Sequence, residues 1–279
     1  MGRKHRKWAD IPSGQQNPLA YAVTSRDWSV MQMVDDAVRH KQVLLAYQAI
    51  VPSGKQDAPA FYEGLARVLD ETGRIIPAGE FIGTIETEET GRLIDCLTLE
   101  KGLRALLKYP DLRLAINMSA RSIGYGRWMK SLKRGLAKDD TIAERLILEI
   151  SESSAMLVPE LVVSFMADLH AEGISFALDD FGAGFTSFKF LQKFHFDILK
   201  IDGQYVRGIH EDGNKQVMVA AFAAIAEQLD LITVAEQVEN PNDALVLQDI
   251  GIDCLQGYYF GAPTVNPPWI EHINQKISA

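Results

Sequence analysis

A chain of 279 residues with 47% hydrophobic composition can bury one large core, and a single barrel of this length is common, so one domain is the starting expectation. Its net charge of −9 argues against polymeric nucleic acid as a partner, because a long polyanion needs a basic stripe that only Arg3, Lys4, Arg6 and Lys7 begin to offer. Cys96 and Cys254 lie far apart in apolar segments, which supplies neither a disulfide framework nor a zinc pattern and suits buried thiols in a reducing cytosol. The basic start lacks an apolar core of signal-peptide length and no later run approaches a membrane span; the expectation is a cytoplasmic protein without a membrane partner.

In chain order, residues 1–27 are polar and read as an N-terminal extension without its own core, with structure beginning near Trp28 and one domain over 28–279. Eight β-type runs then follow: VLLAYQAI (43–50), FYEGLAR (61–67), LRLAIN (112–117), RLILEI (145–150), ISFALD (174–179), FDILKI (196–201), LITVAE (231–236) and CLQGYYF (254–260). Between most of them apolar residues recur at helical spacing, as in Leu93, Leu97, Leu103, Leu106 and Leu107, or Met218, Phe222, Ile225, Ala226 and Leu229. Eight alternating units predict an α/β fold, a TIM-like (β/α)8 barrel. The link between the first two strands, VPSGKQDAPA, is too short for a parallel crossover helix, so the first strand is expected antiparallel to the second.

Several of these runs finish on or carry an ionisable or amide residue: the third ends at Asn117, the fourth carries Glu149, the fifth ends at Asp179 with Asp180, the sixth carries Lys200 and the seventh ends at Glu236, with Glu63 inside the second. A single strand-end Asp or Asn is more often a helix cap. Six such positions together converge on the face where barrel active sites lie. Carboxylates plus one amide oxygen, without His or Cys, suit magnesium or manganese. Two such cations can activate a water and stabilise charge on a displaced phosphate oxygen. Asp179 and Asp180 can serve one site only if the chain turns there, for which Gly182 and Gly184 are available. Lys200 needs a carboxylate, phosphate or water partner, Asp202 being the bland choice. Glu152 is either an anchor behind the site or a helix cap. His195 reads as an ordinary partly buried histidine, and Tyr258, Tyr259 and Phe260 as core or rim aromatics. The GAGF stretch after the aspartates lacks the full dinucleotide-binding fingerprint and reads as a mobile active-site loop.

From about Val34 to Pro263 the chain resembles the EAL domain of cyclic di-GMP phosphodiesterases. The resemblance is carried by YQAI (47–50), EGLAR (63–67), IIPAGEFI (75–82), INMSA (116–120), LEISES (148–153), DDFGAGFTS (179–187), LKID (199–202), VAEQVE (234–239) and QGYYFGAP (256–263). It implies a barrel with an antiparallel first strand and hydrolysis of cyclic di-GMP to linear pGpG. It also implies metal ligands at Glu63, Asn117, Glu149, Asp179, Asp180 and Glu236, Lys200 near the attacking water, and Glu152 tethering the DDFG loop. Gln48 and Arg67 then approach the substrate, Glu239 and Gln256 complete the surround, and a homodimer through helices near that loop is implied. The sequence departs from the family pattern at Gly64 (for Ala), Ala49 (for Pro), Val68 (for an aromatic) and Gln237 (for Gly). Gly64 is expected to loosen its strand and Gln237 to resist a backbone angle that glycine serves. No departure removes a carboxylate. Two other readings remain: a cyclic di-GMP-binding or protein-interaction module without turnover, and a magnesium enzyme of enolate chemistry with Lys200 as base.

Overall fold

The computed structural model describes residues 18–70, 72–184 and 188–270. Its strands are β1 (Val43–Pro52), β2 (Phe61–Leu69), β3 (Ile75–Pro77), β4 (Leu114–Asn117), β5 (Leu146–Ser151), β6 (Ser175–Phe181), β7 (Ile198–Ile201), β8 (Ile232–Ala235) and β9 (Cys254–Leu255). They form one sheet in the order β1-β9-β8-β7-β6-β5-β4-β2-β3, and a further β1–β2 pairing closes eight of them into a barrel. β1 runs antiparallel to both neighbours, while β2, β4, β5, β6, β7, β8 and β9 follow one another in parallel. The expected antiparallel first strand is therefore present. β3, absent from the sequence expectation, is a three-residue edge paired antiparallel with β2, and its Ile-Ile-Pro is too short to show an alternation.

The helices are α1 (Pro18–Arg39), α2 (Ile82–Ile85), α3 (Glu89–Lys108), α4 (Gly126–Leu136), α5 (Ile142–Arg145), α6 (Glu152–Ala155), α7 (Pro159–His170), α8 (Phe188–Leu191), α9 (Gly203–Val206), α10 (Gly213–Gln228) and α11 (Pro241–Ile250). Their ends follow local chemistry. Asp212 accepts from the Asn214 and Lys215 amides to start α10, and Asn240 accepts from those of Asn242 and Asp243 to start α11. α11 stops at Gly251, with φ 97°.

Two expectations need correction. α1 begins at Pro18, so the boundary placed at residue 28 falls inside a helix; proline fits a first helical position, where its missing N–H costs nothing. Farther along, Val34, Ala37 and Val38 on α1 pack with Val43, Val68, Ile76 and Phe81. The eighth strand ends at Leu255 rather than at residue 260, because at Gly257 the chain passes so close to Val238 that a Cβ would meet its carbonyl oxygen at 2.0 Å. Val238 N–H donates to Gln256 O and Tyr259 N–H to Val238 O, replacing the ladder.

Strand alternation separates two apolar regions. Outward residues such as Leu148, Ile150, Phe176, Leu178, Leu199 and Ile201 meet the helices. Inward residues Ile50, Phe61, Ala115, Ile147, Ala177, Ile198, Val234 and Cys254 form a separate apolar cluster inside the barrel, one from each barrel strand.

Candidate active site

Because side chains on one face of a strand repeat every two residues, the next inward position is fixed by that apolar layer. Two residues past Phe61, Ala115, Ile147, Ala177, Ile198, Val234 and Cys254 come Glu63, Asn117, Glu149, Asp179, Lys200, Glu236 and Gln256; two before Ile50, on the antiparallel β1, comes Gln48. An entirely apolar layer is thus capped by an entirely polar one. Gln48 and Glu63 are direct register partners.

Lys200, fully buried, stands at the centre of the polar layer. Its Nζ lies 2.8 Å from Glu236 Oε1, 2.9 Å from Asp179 Oδ1, 3.1 Å from Glu149 Oε2 and 3.2 Å from Glu63 Oε2. Asp202, the bland partner, instead starts α9 by accepting from Gln204 N–H. Asn117 Nδ2 donates to Glu63 Oε1 at 2.7 Å, and Gln256 Nε2 donates to Glu63 Oε2 at 2.6 Å and to Gln48 Oε1 at 3.1 Å. Burial opposes the charge on Glu63, yet Lys200 and the donors on Gln256 and Asn117 outweigh it and hold its pKa below the ordinary value. Burial and the neighbouring carboxylates push Glu149 and Glu236 well above theirs. Burial works against a charged Lys200, but Asp179, Glu149, Glu236 and Glu63 raise its pKa well above normal. A lysine so held is a donor rather than the base that enolate chemistry would require.

The expected turn at the aspartates is made by Asp180 itself. β6 has a register irregularity between Leu178 and Phe181, and Asp180 sits at φ 56°, so a bulge turns both carboxylates toward one place. Burial and Asp179 push the Asp180 pKa up to about 6. Gly182 follows at φ 92°, and its N–H donates to Glu152 Oε2 at 2.8 Å. Ser151, not Glu152, caps α6, so Glu152 anchors the segment that follows the aspartates. The stretch read as a mobile loop falls partly outside the described residues.

Oxygens of Asp179, Asp180 and Glu236 all lie within 4.8 Å of one another, and Glu149 Oε1 is buried without a hydrogen-bond donor among the described residues. Crowded hard oxygens with an orphaned carboxylate oxygen fit divalent cations.

Above the layer opens a cavity of about 670 Å³, lined also by Arg67, Glu239, Gln237 and Tyr258. Arg67 Nη1 donates to Ala66 O at 2.8 Å, and Glu239 is exposed at the rim. Tyr258 and Tyr259, 69% and 45% exposed, are rim rather than core. His195 is exposed and lies in a separate groove with His170 and Asp197, while Cys96 and Cys254 are buried thiols. Two charged lining residues escaped the sequence reading, Asp95 and Arg207. Asp95 was detectable as an acid between Ile94 and Leu97 of a helix, whereas Arg207 follows α9 in a loop without periodicity.

Gln237 does occupy the glycine-like angle, at φ 56°, a conformation uncommon outside glycine. A Cβ on Gly203 would fall 2.3 Å from Gln237 Cδ, so Gly203 makes room for that side chain. At Gly64 a Cβ would meet Ile116 Cδ1 at 2.8 Å; the isoleucine fills the space and the strand stays paired on both sides.

The model of the family described as "EAL domain" matches residues 31–263. Among curated proteins the chain is 28% identical over 272 residues to cyclic di-GMP phosphodiesterase PdeB of Shewanella oneidensis (96% of this chain, 32% of the relative). It is 30% identical over 251 residues to cyclic di-GMP phosphodiesterase PdeF of Escherichia coli (88% and 33%). The chain thus spans about a third of the length of these relatives. Among solved structures, the PaMucR phosphodiesterase in complex with c-di-GMP superposes with a TM-score of 0.78 at 26% identity, covering 87% of this chain and 99% of that one. The FimX EAL domain of Pseudomonas aeruginosa bound to c-di-GMP has the same fold, with a TM-score of 0.77 at 21% identity, covering 85% of this chain and 97% of that one. With the family model matched over residues 31–263 of a barrel whose polar layer carries Glu63, Glu149, Asp179 and Glu236, the chain belongs to the EAL domain family.

Proposed function

We propose that this domain hydrolyses cyclic di-GMP to linear pGpG with the help of divalent cations, magnesium or manganese, two per site. The observation that carries the reading is the polar layer itself: one lysine among four carboxylates, with Asp180 adding a fifth beside Asp179. Glu63, Asn117, Glu149, Asp179, Asp180 and Glu236 are the residues that would hold the cations. Bound there, divalent cations would lower the pKa of a water and offset charge on the phosphoryl oxygens.

The remaining work falls to the chain. Water oxygen bonds to phosphorus, the P–O3′ bond breaks, and the 3′ oxygen leaves to become a hydroxyl, so a 5′-phosphorylated linear dinucleotide results. Lys200 Nζ, kept protonated, orients the water and donates to charge that grows on the phosphate, while Glu236, whose charged form cations bound beside it would favour, would take the water's proton. Glu152 holds the segment after Asp180 through Gly182 N–H. Gln48, through its bond with Gln256, and Arg67, Glu239 and Gln256 surround the substrate, Arg67 offering a planar fork to a phosphate. Cyclic di-GMP is the proposed partner; a homodimer through helices near the segment after Asp180 and a cytoplasmic site of action are the accompanying readings. Among the described residues no helix is long and apolar enough to cross a membrane.

The test is chromatography of purified protein incubated with cyclic di-GMP and magnesium or manganese. Appearance of pGpG with a cation and its absence with chelator is expected. Tight binding of intact substrate with no product under either cation would replace catalysis with the receptor reading.

A further inference from the structure

We propose that Arg207 is a second substrate-binding arginine, facing Arg67 across the mouth of the barrel; the inference rests on cyclic di-GMP being the ligand. The cavity is lined by six acids, Glu63, Asp95, Asp179, Asp180, Glu236 and Glu239, and among its described lining residues only Arg67 and Arg207 are cationic. In the barrel order, β2 and β7 are separated by three strands on either side, β1, β9 and β8 one way and β4, β5 and β6 the other. Arg67 lies on β2 and Arg207 just past β7, so the two guanidinium groups stand on opposite rims.

The backbone at Arg207 is tied down on all sides. Its N–H donates to Gly203 O at 2.9 Å, and its carbonyl accepts from Lys215 Nζ at 2.6 Å. Asp243, fully buried, accepts from Gly208 N–H at 3.0 Å, His210 N–H at 3.2 Å and Asn240 Nδ2 at 2.7 Å, and pairs with the His210 ring at 2.6 Å. A buried carboxylate is thus committed to the turn that follows Arg207. The guanidinium, by contrast, is exposed and has no hydrogen bond or ion pair among the described residues. A fixed backbone carrying an unengaged fork at the lip of an acidic cavity is a preorganised donor pair waiting for acceptors.

A cyclic dinucleotide offers two kinds of paired acceptor beyond the reacting phosphate: the oxygens of its other phosphodiester, and O6 with N7 of guanine. Both match a guanidinium fork. Asp243 then acts as a positioning residue, through Arg207.

Steady-state kinetics of Arg207→Ala with cyclic di-GMP and manganese tests this, alongside inhibition by cyclic di-AMP, which keeps the phosphodiesters and lacks guanine. KM is expected to rise roughly tenfold or more with kcat within about twofold and the melting temperature unchanged, and Arg207→Lys should recover part of the loss. An equal loss for both dinucleotides assigns the fork to phosphate; a loss confined to cyclic di-GMP assigns it to guanine. Asp243→Asn should raise KM in the parent protein and leave it unchanged in the Arg207→Ala background. An unchanged KM in Arg207→Ala, or a fall in kcat alone, would overturn the proposal. Neither turnover nor binding of cyclic di-GMP by the parent protein would instead remove the ligand reading beneath it.

Discussion

Two successive layers inside the barrel are built from the same strands, two residues apart; the lower is buried throughout, and the upper is buried at Glu63, Glu149 and Lys200 and half-buried at Asn117, Asp179 and Glu236. Phe61, Ala115, Ile147, Ala177, Ile198 and Val234 make one; Glu63, Asn117, Glu149, Asp179, Lys200 and Glu236 make the other. Apolar groups need nothing further once water is gone. Buried carboxylates gathered on one lysine remain in mutual repulsion, with Glu149 and Glu236 driven toward protonation by burial and by their neighbours. On the proposed function, stability is concentrated in the lower layer and chemistry in the upper, and substitutions can pull the two apart.

The largest expected effect is on turnover. Asp179→Asn should lower kcat for cyclic di-GMP by roughly 10³-fold or more, about 4 kcal/mol of barrier, while the urea midpoint stays level or rises because one repelling charge is gone. A variant that kept near-parental turnover would remove Asp179 from the site. In the lower layer Phe61→Ala should reverse that pattern, losing about 3–5 kcal/mol of stability by urea denaturation while still binding manganese.

Asp95 lies outside both layers, yet its effect can be separated by pH. Its buried carboxyl, desolvated but bonded to Ser122 Oγ at 2.6 Å and Ser119 N–H at 3.0 Å, has its pKa pushed up from 3.8 to about 7. The folded protein thus binds this proton more tightly than the unfolded chain. The contribution is fully present below the ordinary carboxyl value and is lost as pH rises toward 7, by up to about 4 kcal/mol. Denaturation of Asp95→Asn between pH 4 and 8 should show a flatter profile than the parent; parallel profiles would contradict the assignment. The smallest effect concerns Gly64. Gly64→Ala should cost about 1–2 kcal/mol through Ile116, and Ile116→Val should return most of it.

The barrel and its acids are legible because an apolar run that carries a Glu, Asp or Lys within its last few residues announces both its inward face and its approaching end; Glu149, Asp179 and Lys200 each lie within two residues of theirs. Antiparallel β1 is legible from a connection too short for a helix. What escapes lies where no period operates. The bulge at Asp180 is backbone geometry, Arg207 sits in a loop, and the mutual accommodation of Gln237 with Gly203 is a contact between residues far apart in sequence. The eighth strand fails for a related reason, since the close pass of Gly257 over Val238 overrides the β propensity of Tyr258, Tyr259 and Phe260.

The division of labour between the layers is tested most directly by calorimetric titration of manganese into the parent protein, Asp179→Asn and Phe61→Ala. Binding of about two cations per chain by the parent, preserved in Phe61→Ala and weakened at least tenfold in Asp179→Asn, is the expected result. Binding that is absent from the parent, or indifferent to Asp179, would contradict it.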